Sequence, residues 1–458
     1  MKSFLKRAMF GAVAVGVAAL PATAFPPGAD VVLADVQSIT NHGAVSGVYG
    51  YTIGSYTCNI GTANLTWANS GTPGLAMNAY RLSDGRLVQI GESFAKLACC
   101  AAAGTNSLCA PTCNGAGGSV LGVGCLDIYS SGWNAGQSRL AARSSINPWT
   151  GQFSSFSAAT GNAIFKRIQV PAAQIGTTAF PNAQYFVEGV YVGTDDAAGN
   201  KRNNNASFKR VTVAAGTNAM SITGTTTRHV PAITAWRQHG MGANLVDARV
   251  EDVIIDVPAE GRFHAAHKVT DNGNGTWTYD YAVFNLSSDR AGGSITIPVP
   301  AGVNVTNSGF NAPMHHSGEI YNNNPWVFER GCNTVTFRTD ATVAVNPNAN
   351  ALRWGTMYNF WFTADQPPRT VDATLGLFKA HSPQSVDFAA RGPSQPPCDP
   401  DINADGNVDQ SDIECLAQAI AGNSGCSPCA DPDFNRDGNA DQDDVFTLEQ
   451  VVAGQPCP

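Results

Sequence analysis

Two twelve-residue stretches near the end of the chain decide how this sequence is interpreted. Residues 401–412 read Asp-Ile-Asn-Ala-Asp-Gly-Asn-Val-Asp-Gln-Ser-Asp, and residues 433–444, which begin 32 positions later, read Asp-Phe-Asn-Arg-Asp-Gly-Asn-Ala-Asp-Gln-Asp-Asp. Calcium takes about six to eight oxygen ligands, and a loop of this length supplies them from positions 1, 3, 5, 7, 9 and 12, with glycine at position 6. Both stretches follow that pattern, so each is predicted to hold one calcium ion.

The predicted ligands follow from these loop positions, with position 7 contributing its backbone carbonyl. In the first loop they are Asp401, Asn403, Asp405, Asn407, Asp409 and Asp412. In the second loop they are Asp433, Asn435, Asp437, Asn439, Asp441 and Asp444. A solvated acidic turn is the plain alternative, but a second complete copy in the same register disfavours it.

The flanking sequence predicts the kind of domain that carries the loops. Prolines precede both loops, at positions 396, 397, 400, 428 and 432. Because proline disrupts a helix interior, no helix is expected to enter either loop. Helical apolar spacing instead follows each loop, over residues 412–421 and 444–453, and Gly422 and Gly454 mark the C-terminal ends. The tail is therefore predicted to consist of two loop–helix units.

Two loop–helix units of this form resemble a dockerin, the domain that docks secreted bacterial proteins onto cohesin modules. The resemblance covers residues 398–458 and implies two calcium ions as cofactors and a cohesin-like or other cell-surface protein as partner. It also implies that the partner is contacted through loop positions 10 and 11, which here are Gln410, Ser411, Gln442 and Asp443. Five cysteines punctuate this tail, as in a cysteine-containing dockerin subtype: Cys398, Cys415, Cys426, Cys429 and Cys457.

The first 24 residues predict export. Lys2, Lys6 and Arg7 precede an apolar run over 8–20, and Ala-Thr-Ala at 22–24 is a small-residue cleavage site, so these residues are typical of a secretory signal peptide. The apolar run is too short to cross about 30 Å of hydrocarbon. We therefore expect a secreted or cell-surface protein with no membrane span.

Charge is concentrated in the tail. Residues 398–458 contain 13 acidic side chains and one basic side chain, Arg436, whereas the whole chain has a net charge of −8. The rest of the chain therefore carries little net charge, and nucleic-acid binding, which requires a basic surface, is not expected. The 12 cysteines and only 14% charged residues are typical of an extracellular β-rich protein with paired thiols.

The body between signal peptide and tail is long enough for two domains. The fold class expected is mostly β: two antiparallel β-sandwich-like domains followed by a small α-helical calcium-binding dockerin-like domain. We place the domain boundary near residue 225, where Gly-Thr-Thr-Thr-Arg at 224–228 interrupts the strand pattern. The resulting segments are a β-rich domain over 25–225, a β-sandwich over 226–390 and a proline-rich linker over 391–397.

Short alternating or apolar segments carry the strand predictions. In the first domain they are 47–53, 76–81, 87–90, 163–170, 185–192 and 208–213. In the second domain they are 276–286, 294–299, 354–363 and 374–378.

A segment rich in cysteine and glycine, residues 99–125, interrupts the first domain. Such a segment cannot build a core, so it is predicted to be a disulfide-stapled surface loop tied back to Cys58. The alternative is metal ligation by four of its cysteines, Cys99, Cys100, Cys109 and Cys113. Seven cysteines lie in the body and five in the tail, so complete pairing requires a bridge between the two, and otherwise two thiols remain free.

Candidate catalytic groups in the body are sparse. Neighbouring acids at Asp195 and Asp196, and at Glu251 and Asp252, have the chemistry of glycoside hydrolysis, but sequence neighbours seldom reach the carboxylate separation that this reaction needs. The stretch Met314-His315-His316-Ser317-Gly318-Glu319, together with His239, has the ligand types of a copper or zinc site. Aromatic residues in loop-like sequence could stack on sugars or fill the core: Trp133, Trp149, Tyr321 and Trp326.

The leading hypothesis is a secreted, non-enzymatic surface or matrix protein that binds two calcium ions and docks through its tail. The first alternative is a secreted carbohydrate-active enzyme or glycan-binding protein anchored by the same tail, with polysaccharide as its further partner. The second alternative is a copper or zinc oxidoreductase. Turnover of a polysaccharide would distinguish a carbohydrate-active enzyme from a glycan-binding protein. Stoichiometric metal in the body would identify the oxidoreductase.

Overall fold

The computed structural model describes most of the chain from residue 27 onward. The described residues are 27–68, 71–101, 104–105, 107–115, 117–153, 159–396, 398–403, 405–423 and 431–458. The predicted signal peptide, the end of the linker at Pro397, and Cys426 and Cys429 lie outside these residues. Across the described residues, no helix has the length and apolar character needed to cross a membrane.

The first half of the body is dominated by one antiparallel sheet. Its strands are β1 (Val31–Val45), β2 (Val48–Asn59), β4 (Gly74–Ser83), β5 (Arg86–Glu92), β6 (Ala95–Leu97), β8 (Leu126–Tyr129), β9 (Leu140–Ala141), β10 (Ile168–Pro171), β11 (Gln184–Val192), β12 (Ala206–Val213) and β13 (Met220–Ile222). The main path runs β1-β2-β10-β5-β4-β11-β12-β13. Two further short strands, β3 (Leu65–Thr66) and β7 (Val120–Leu121), pair with each other.

This sheet curls so that its first strand faces its last ones. β1 packs across β11, β12 and β13, although it does not pair with any of these strands in the sheet. Apolar side chains between the two layers form a core that includes Leu33, Ile53, Trp67, Met77 and Val187. The alternating apolar residues of these strands therefore pack as the two inner faces of a sandwich do.

The second half of the body is a sandwich of two five-stranded antiparallel sheets. Its strands are β14 (Glu251–Asp256), β15 (Arg262–Asp271), β16 (Trp277–Asn285), β17 (Gly292–Pro298), β18 (Val305–Asn311), β19 (Val327–Arg330), β20 (Thr334–Arg338), β21 (Met357–Ala364), β22 (Pro368–Leu377) and β23 (Ser385–Pro393). One sheet has the order β14-β15-β16-β21-β18, and the other β19-β20-β17-β22-β23. An aromatic-rich core lies between the two sheets, with Tyr279, Phe337, Phe360 and Phe362 at its centre.

The two halves share a third core. It joins Tyr80, Phe186 and Trp236 from before the sandwich to Phe284 and Met357 within it. Short helices lie around the first sheet and the junction: α1 (Ser131–Asn134), α2 (Thr194–Ala198), α3 (Ala235–His239) and 3₁₀ turns at Gln137–Arg139, Arg143–Ser145, Ala172–Gln174, Arg202–Asn204 and Ala232–Thr234. The described body is thus one continuous packed unit.

Hydrogen bonds across the junction accompany this shared core. The Met357 N–H donates to Oε1 of Gln89 over 2.6 Å, and the Asn359 side chain donates to the Leu87 carbonyl over 2.8 Å. Arg86 and Asp280 form an ion pair between β5 and β16. The β4–β5 hairpin therefore docks on the outer face of the sheet that contains β16 and β21.

The cysteine-rich segment is stapled as predicted. Disulfides join Cys58 to Cys109, Cys99 to Cys100, and Cys113 to Cys125. The first of these confirms the tie to Cys58, and the alternative of metal ligation by Cys99, Cys100, Cys109 and Cys113 is wrong because all four thiols are oxidised. Among the described cysteines none is free, and Cys332 and Cys415 are also disulfide-bonded.

The tail contains the two predicted helices, α4 (Gln410–Ile420) and α5 (Gln442–Val452). They pack on each other through a small core of Ile413, Leu416, Phe434, Val445 and Leu448. A disulfide between Cys398 and Cys457 joins the two ends of the tail. The expected fold class, mostly β with a small helical C-terminal domain, is confirmed.

One strand prediction is wrong in extent. Residues 163–167 form turns, and β10 begins only at Ile168. Lys166 adopts a positive φ of 63°, which is not a strand conformation, and its N–H donates to the Ser317 hydroxyl and not to a neighbouring strand. The chain therefore turns at the point where strand pairing was expected.

Candidate metal centre

Each twelve-residue loop is closed by the carboxylate at its first position. In the first loop, Asp401 accepts the N–H groups of Asp405 and Gly406 over 3.0 and 2.9 Å. Gly406 has a φ of +89°, in the left-handed region that favours glycine, so glycine at position 6 permits the turn. The chain thereby reverses direction and brings positions 1 to 6 around one centre.

The twelfth position closes the loop from its other end. Asp412 is fully buried and accepts the N–H groups of Asn403 and Asp409 over 3.0 and 2.9 Å. The Asp409 carboxylate in turn accepts the Ser411 N–H over 2.8 Å, which completes a capping box at the start of α4. Asp412 thus closes the loop, and its side chain also forms part of the capping box at the start of α4.

The second loop repeats this geometry almost bond for bond. Asp433 accepts from Asp437 and Gly438 over 3.1 and 3.0 Å, and buried Asp444 accepts from Asn435 and Asp441 over 2.9 and 2.8 Å. Every distance agrees with its counterpart in the first loop within 0.1 Å. The 32-residue sequence repeat is therefore also a structural repeat.

The donor set fits a hard cation. Each predicted ligand set consists of four aspartates and two asparagines, which offer oxygen ligands, the type that calcium prefers. The carboxylates accept mainly backbone N–H groups, which stabilise their charge without neutralising it. Across the described residues, no three His, Cys, Asp or Glu side chains converge as a metal-binding group. The fit to calcium therefore rests on the chemistry of the donors and on the loop geometry.

The residues predicted to contact a partner lie at the exposed start of each helix. Gln410, Ser411, Gln442 and Asp443 are all exposed. The two helix starts are not equivalent, because the Ser411 hydroxyl is engaged within its loop by Asn403 and Asp409, both at 2.7 Å. One turn further along α5, Phe446 is 59% exposed, a feature that sequence reasoning missed.

The acid pairs considered for glycoside hydrolysis have structural contacts instead. Asp196 is buried and accepts from the Val31 N–H and the Asn205 side chain over 3.0 and 2.8 Å. Burial raises the pKa of Asp196 to about 7. Asp195 accepts the Thr66 N–H over 2.7 Å. These two carboxylates therefore fasten α2 to neighbouring strands and do not face a common cleft.

The second acid pair lies on β14. Glu251 forms an ion pair with Arg391 at 2.8 Å. Burial raises the pKa of its neighbour Asp252 to about 6. Because adjacent residues of a strand point to opposite faces, Glu251 and Asp252 are not brought together across one substrate.

The histidines considered for a copper or zinc site are used in two separate places. His315 contacts the Glu92 carboxylate through Nδ1 at 2.9 Å, and His316 contacts the Glu92 backbone carbonyl at 2.6 Å. His239 instead accepts the Asn244 N–H through Nδ1 and packs on the Phe186 ring. The first two histidines therefore connect β5 to the 314–319 segment of the sandwich.

The four aromatic candidates divide between core and surface. Trp326 is buried, stacks on Phe310 and donates to the Asn350 carbonyl, so of the two alternatives it fills the core. Trp149 stacks on the Arg202 guanidinium at 3.7 Å. Tyr321 contacts both the His315 ring and Arg353. Trp133 is 47% exposed and is the candidate that presents the most surface.

The fold and loop geometry define the tail as a paired loop–helix domain of the calcium-binding class. Its family follows from comparison with known proteins: the model of the dockerin type I domain matches residues 399–452. No curated protein matched the chain. Dockerin domains occur on extracellular proteins, bind calcium and dock onto cohesin partners, and the match implies calcium binding and cohesin docking by the tail.

Proposed function

We propose that this chain is a secreted, non-enzymatic surface or matrix protein whose tail binds two calcium ions and docks the body to a cohesin-like or other surface partner. The observation that carries the proposal is the repeated loop geometry, since two loops that agree within 0.1 Å supply equivalent oxygen donors. The signal-peptide sequence and the disulfides support export.

Each ion would be held by one loop. The first set of ligands is Asp401, Asn403, Asp405, the Asn407 carbonyl, Asp409 and Asp412. The second set is Asp433, Asn435, Asp437, the Asn439 carbonyl, Asp441 and Asp444. Extracellular sites of this type bind calcium with Kd values of about 0.1 to 1 mM.

Calcium stoichiometry tests this proposal directly. Native mass spectrometry of the mature full-length chain, stripped with a chelator and then titrated with calcium, should show two ions bound. A far-ultraviolet circular dichroism titration should show helix forming over the same calcium range, because ion capture and folding of such loops are coupled. Binding of one ion or none would contradict the two-site proposal.

The docking face is proposed to be the start of the two helices. Alanine at Gln410, Ser411, Gln442 and Asp443 together should weaken capture by a cohesin-like partner while calcium stoichiometry stays at two. Retained capture would move the docking face elsewhere on the tail.

The non-enzymatic part of the proposal is tested separately. The full-length protein, incubated with a panel of polysaccharides, should release no reducing sugar. Release from any of them would favour the carbohydrate-active enzyme that the sequence left as an alternative.

A further inference from the structure

A groove beside β12 has the character of a ligand site. One cavity of about 450 Å³ lies between β12, the 224–227 segment and the end of α3. A second cavity of about 340 Å³ is also lined by Arg210 and reaches Phe180 and Tyr185. Small-molecule sites commonly occupy about 300 to 1,000 Å³. We call the two cavities together the Arg210 groove, because Arg210 lines both.

One wall of the groove is an arch that stands off from β12. Thr227 and Phe208 exchange two backbone hydrogen bonds of 2.8 and 3.0 Å, and the Thr223 N–H donates to the Arg210 carbonyl over 3.0 Å. Between these anchors Gly224 has a φ of +70°, which lets the chain bow outward. The Thr226 hydroxyl, which accepts the Val36 N–H over 3.1 Å, fixes the arch to β1.

The opposite wall is equally well fixed. The His239 carbonyl accepts from the Gln184 side chain over 2.8 Å, and its Nδ1 accepts the Asn244 N–H over 2.9 Å. The His239 ring packs on Phe186, a residue of the shared core. Both walls therefore hold the groove open without a ligand.

Four of the polar groups that line the groove have no hydrogen-bond partner within the described protein, and two of them, Thr225 and Asn244, are exposed to solvent. In the described part of the chain, the Arg210 guanidinium forms no hydrogen bond or ion pair, nor do the Asn244 side-chain amide or the hydroxyls of Thr225 and Thr227 form hydrogen bonds. Neither cavity is lined by an aspartate or a glutamate. A cation without a counter-ion is thus surrounded by neutral donors and acceptors.

We propose that the Arg210 groove binds an acidic sugar, in which a carboxylate or sulfate group pairs with Arg210. A guanidinium offers a planar pair of donors that matches either anion, and such charge-assisted hydrogen bonds are stronger than neutral ones. The ring hydroxyls are matched by Asn244, Thr225, Thr227 and Gln238. Because the second cavity continues past Arg210, the groove has room for more than one sugar ring.

This site lies in the body and does not depend on docking by the tail. The test is isothermal titration calorimetry of the mature full-length protein with three short probes: trigalacturonate, a sulfated galacto-oligosaccharide and a neutral xylo-oligosaccharide. We expect binding of at least one anionic probe and weaker or undetectable binding of the neutral probe. Comparison of the two anionic probes decides between carboxylate and sulfate.

Three variants make the assignment specific. Arg210→Ala should weaken binding of the anionic probe by roughly tenfold or more, since it removes a charge-assisted pair. Asn244→Asp, which adds a carboxylate to the lining of the cavity that Arg210 also lines, should weaken binding as well. Arg228→Ala removes an exposed arginine that lines neither cavity, and it should leave the affinity unchanged.

Several results would overturn the proposal. Absence of binding by both anionic probes excludes an acidic-sugar site. Equal losses of affinity in the Arg210→Ala and Arg228→Ala variants would mean that overall charge attracts the anionic probe and that no defined groove binds it. Tighter binding of the neutral probe would reject the acidic class.

Discussion

At the scale of single residues, the twelfth loop position has the largest role in the tail. Asp412 and Asp444 are buried, and each fastens the third and ninth positions of its loop through backbone N–H groups. A buried carboxylate retains its charge at a cost in free energy unless hydrogen bonds or a cation compensate it. In the proposed two-ion tail, these two residues would therefore couple loop closure to calcium binding.

Substitution at this position should remove one ion. We expect the Asp412→Asn variant to bind one calcium ion where the unmodified protein binds two, because amide oxygens are neutral and bind calcium more weakly than a carboxylate. Native mass spectrometry measures the change. Asp443→Asn removes the same charge from an exposed position of the second loop that is not a predicted ligand, and it should leave two ions bound.

Glu92 is the second residue whose charge matters, and it lies where the two halves of the body meet. Burial opposes its ionisation, but Arg143, at 3.4 Å, and His315, at 2.9 Å, outweigh that cost and lower the pKa of Glu92 to about 2. Since its unfolded pKa is about 4.5, ionised Glu92 stabilises the folded state above pH 4.5. That contribution is lost as the pH falls towards 2.

Glu92→Gln should accordingly destabilise the body in a pH-dependent way. At pH 7 we expect a loss of about 3 kcal/mol in the free energy of unfolding, because one member of a buried ion pair is removed. The difference in unfolding free energy between this variant and the unmodified protein should narrow as the pH falls below 4.5. Urea unfolding at pH 7, 4 and 3 measures this difference, and a difference that stays constant would show that the pKa of Glu92 is the same in the folded and unfolded states.

At the scale of elements, the tail is held at both ends. The Cys398–Cys457 disulfide spans 59 positions and joins the strand-side end of the tail to the residues after α5. Between these ends, the two helices bury only a small apolar core. A domain this small commonly needs a disulfide or a metal to remain folded, and this tail has the sequence for both.

Replacing both of these cysteines with serine should therefore increase the dependence of the tail on calcium. Loop-closure entropy gives up to about 4 kcal/mol for a loop of this length. We expect the calcium concentration at half-maximal helix formation to rise in the double variant, with two ions still bound at saturation. An unchanged midpoint would mean that the ions alone order the tail.

The tail elements were predictable because their signals are local. Helices predicted over 412–421 and 444–453 are observed as Gln410–Ile420 and Gln442–Val452, a difference of two residues at the start and one at the end. Capping by aspartate, apolar spacing and terminal glycine all lie within one short window of sequence. Strands with clear alternation of apolar and polar residues, such as β16, were equally predictable from the sequence.

Other elements could not be predicted because their partners are distant in sequence. Trp326 has loop-like neighbours in sequence, yet it is buried by Phe310, Tyr358 and Phe360. The Arg210 groove combines β12 with segments around residues 225 and 244, and no spacing rule connects them. The interruption of the strand pattern at 224–228 is visible in the sequence, but there it indicated only a domain boundary.

At the scale of the whole molecule, the shared core packs residues from both sides of the predicted domain boundary at residue 225. Phe186 and Phe208 from the first sheet pack with Trp236, Phe284 and Met357 in one buried cluster. Arg143, from the first half, donates to the Gly355 carbonyl over 2.8 Å. The domain boundary stays a prediction, but the contacts across it are those of a single interior.

The body should therefore unfold as one cooperative unit, separately from the tail. Differential scanning calorimetry of the full-length protein in calcium should show one large transition for the body and a smaller one for the tail, and a chelator should shift only the smaller. A fragment ending at residue 225 would expose Tyr80, Phe186 and Phe208, so it should aggregate or remain unfolded, whereas a fragment of residues 25–396 should keep the large transition. Two separate body transitions, or a soluble folded 25–225 fragment, would show that the halves are independent and that the shared core contributes little to their stability.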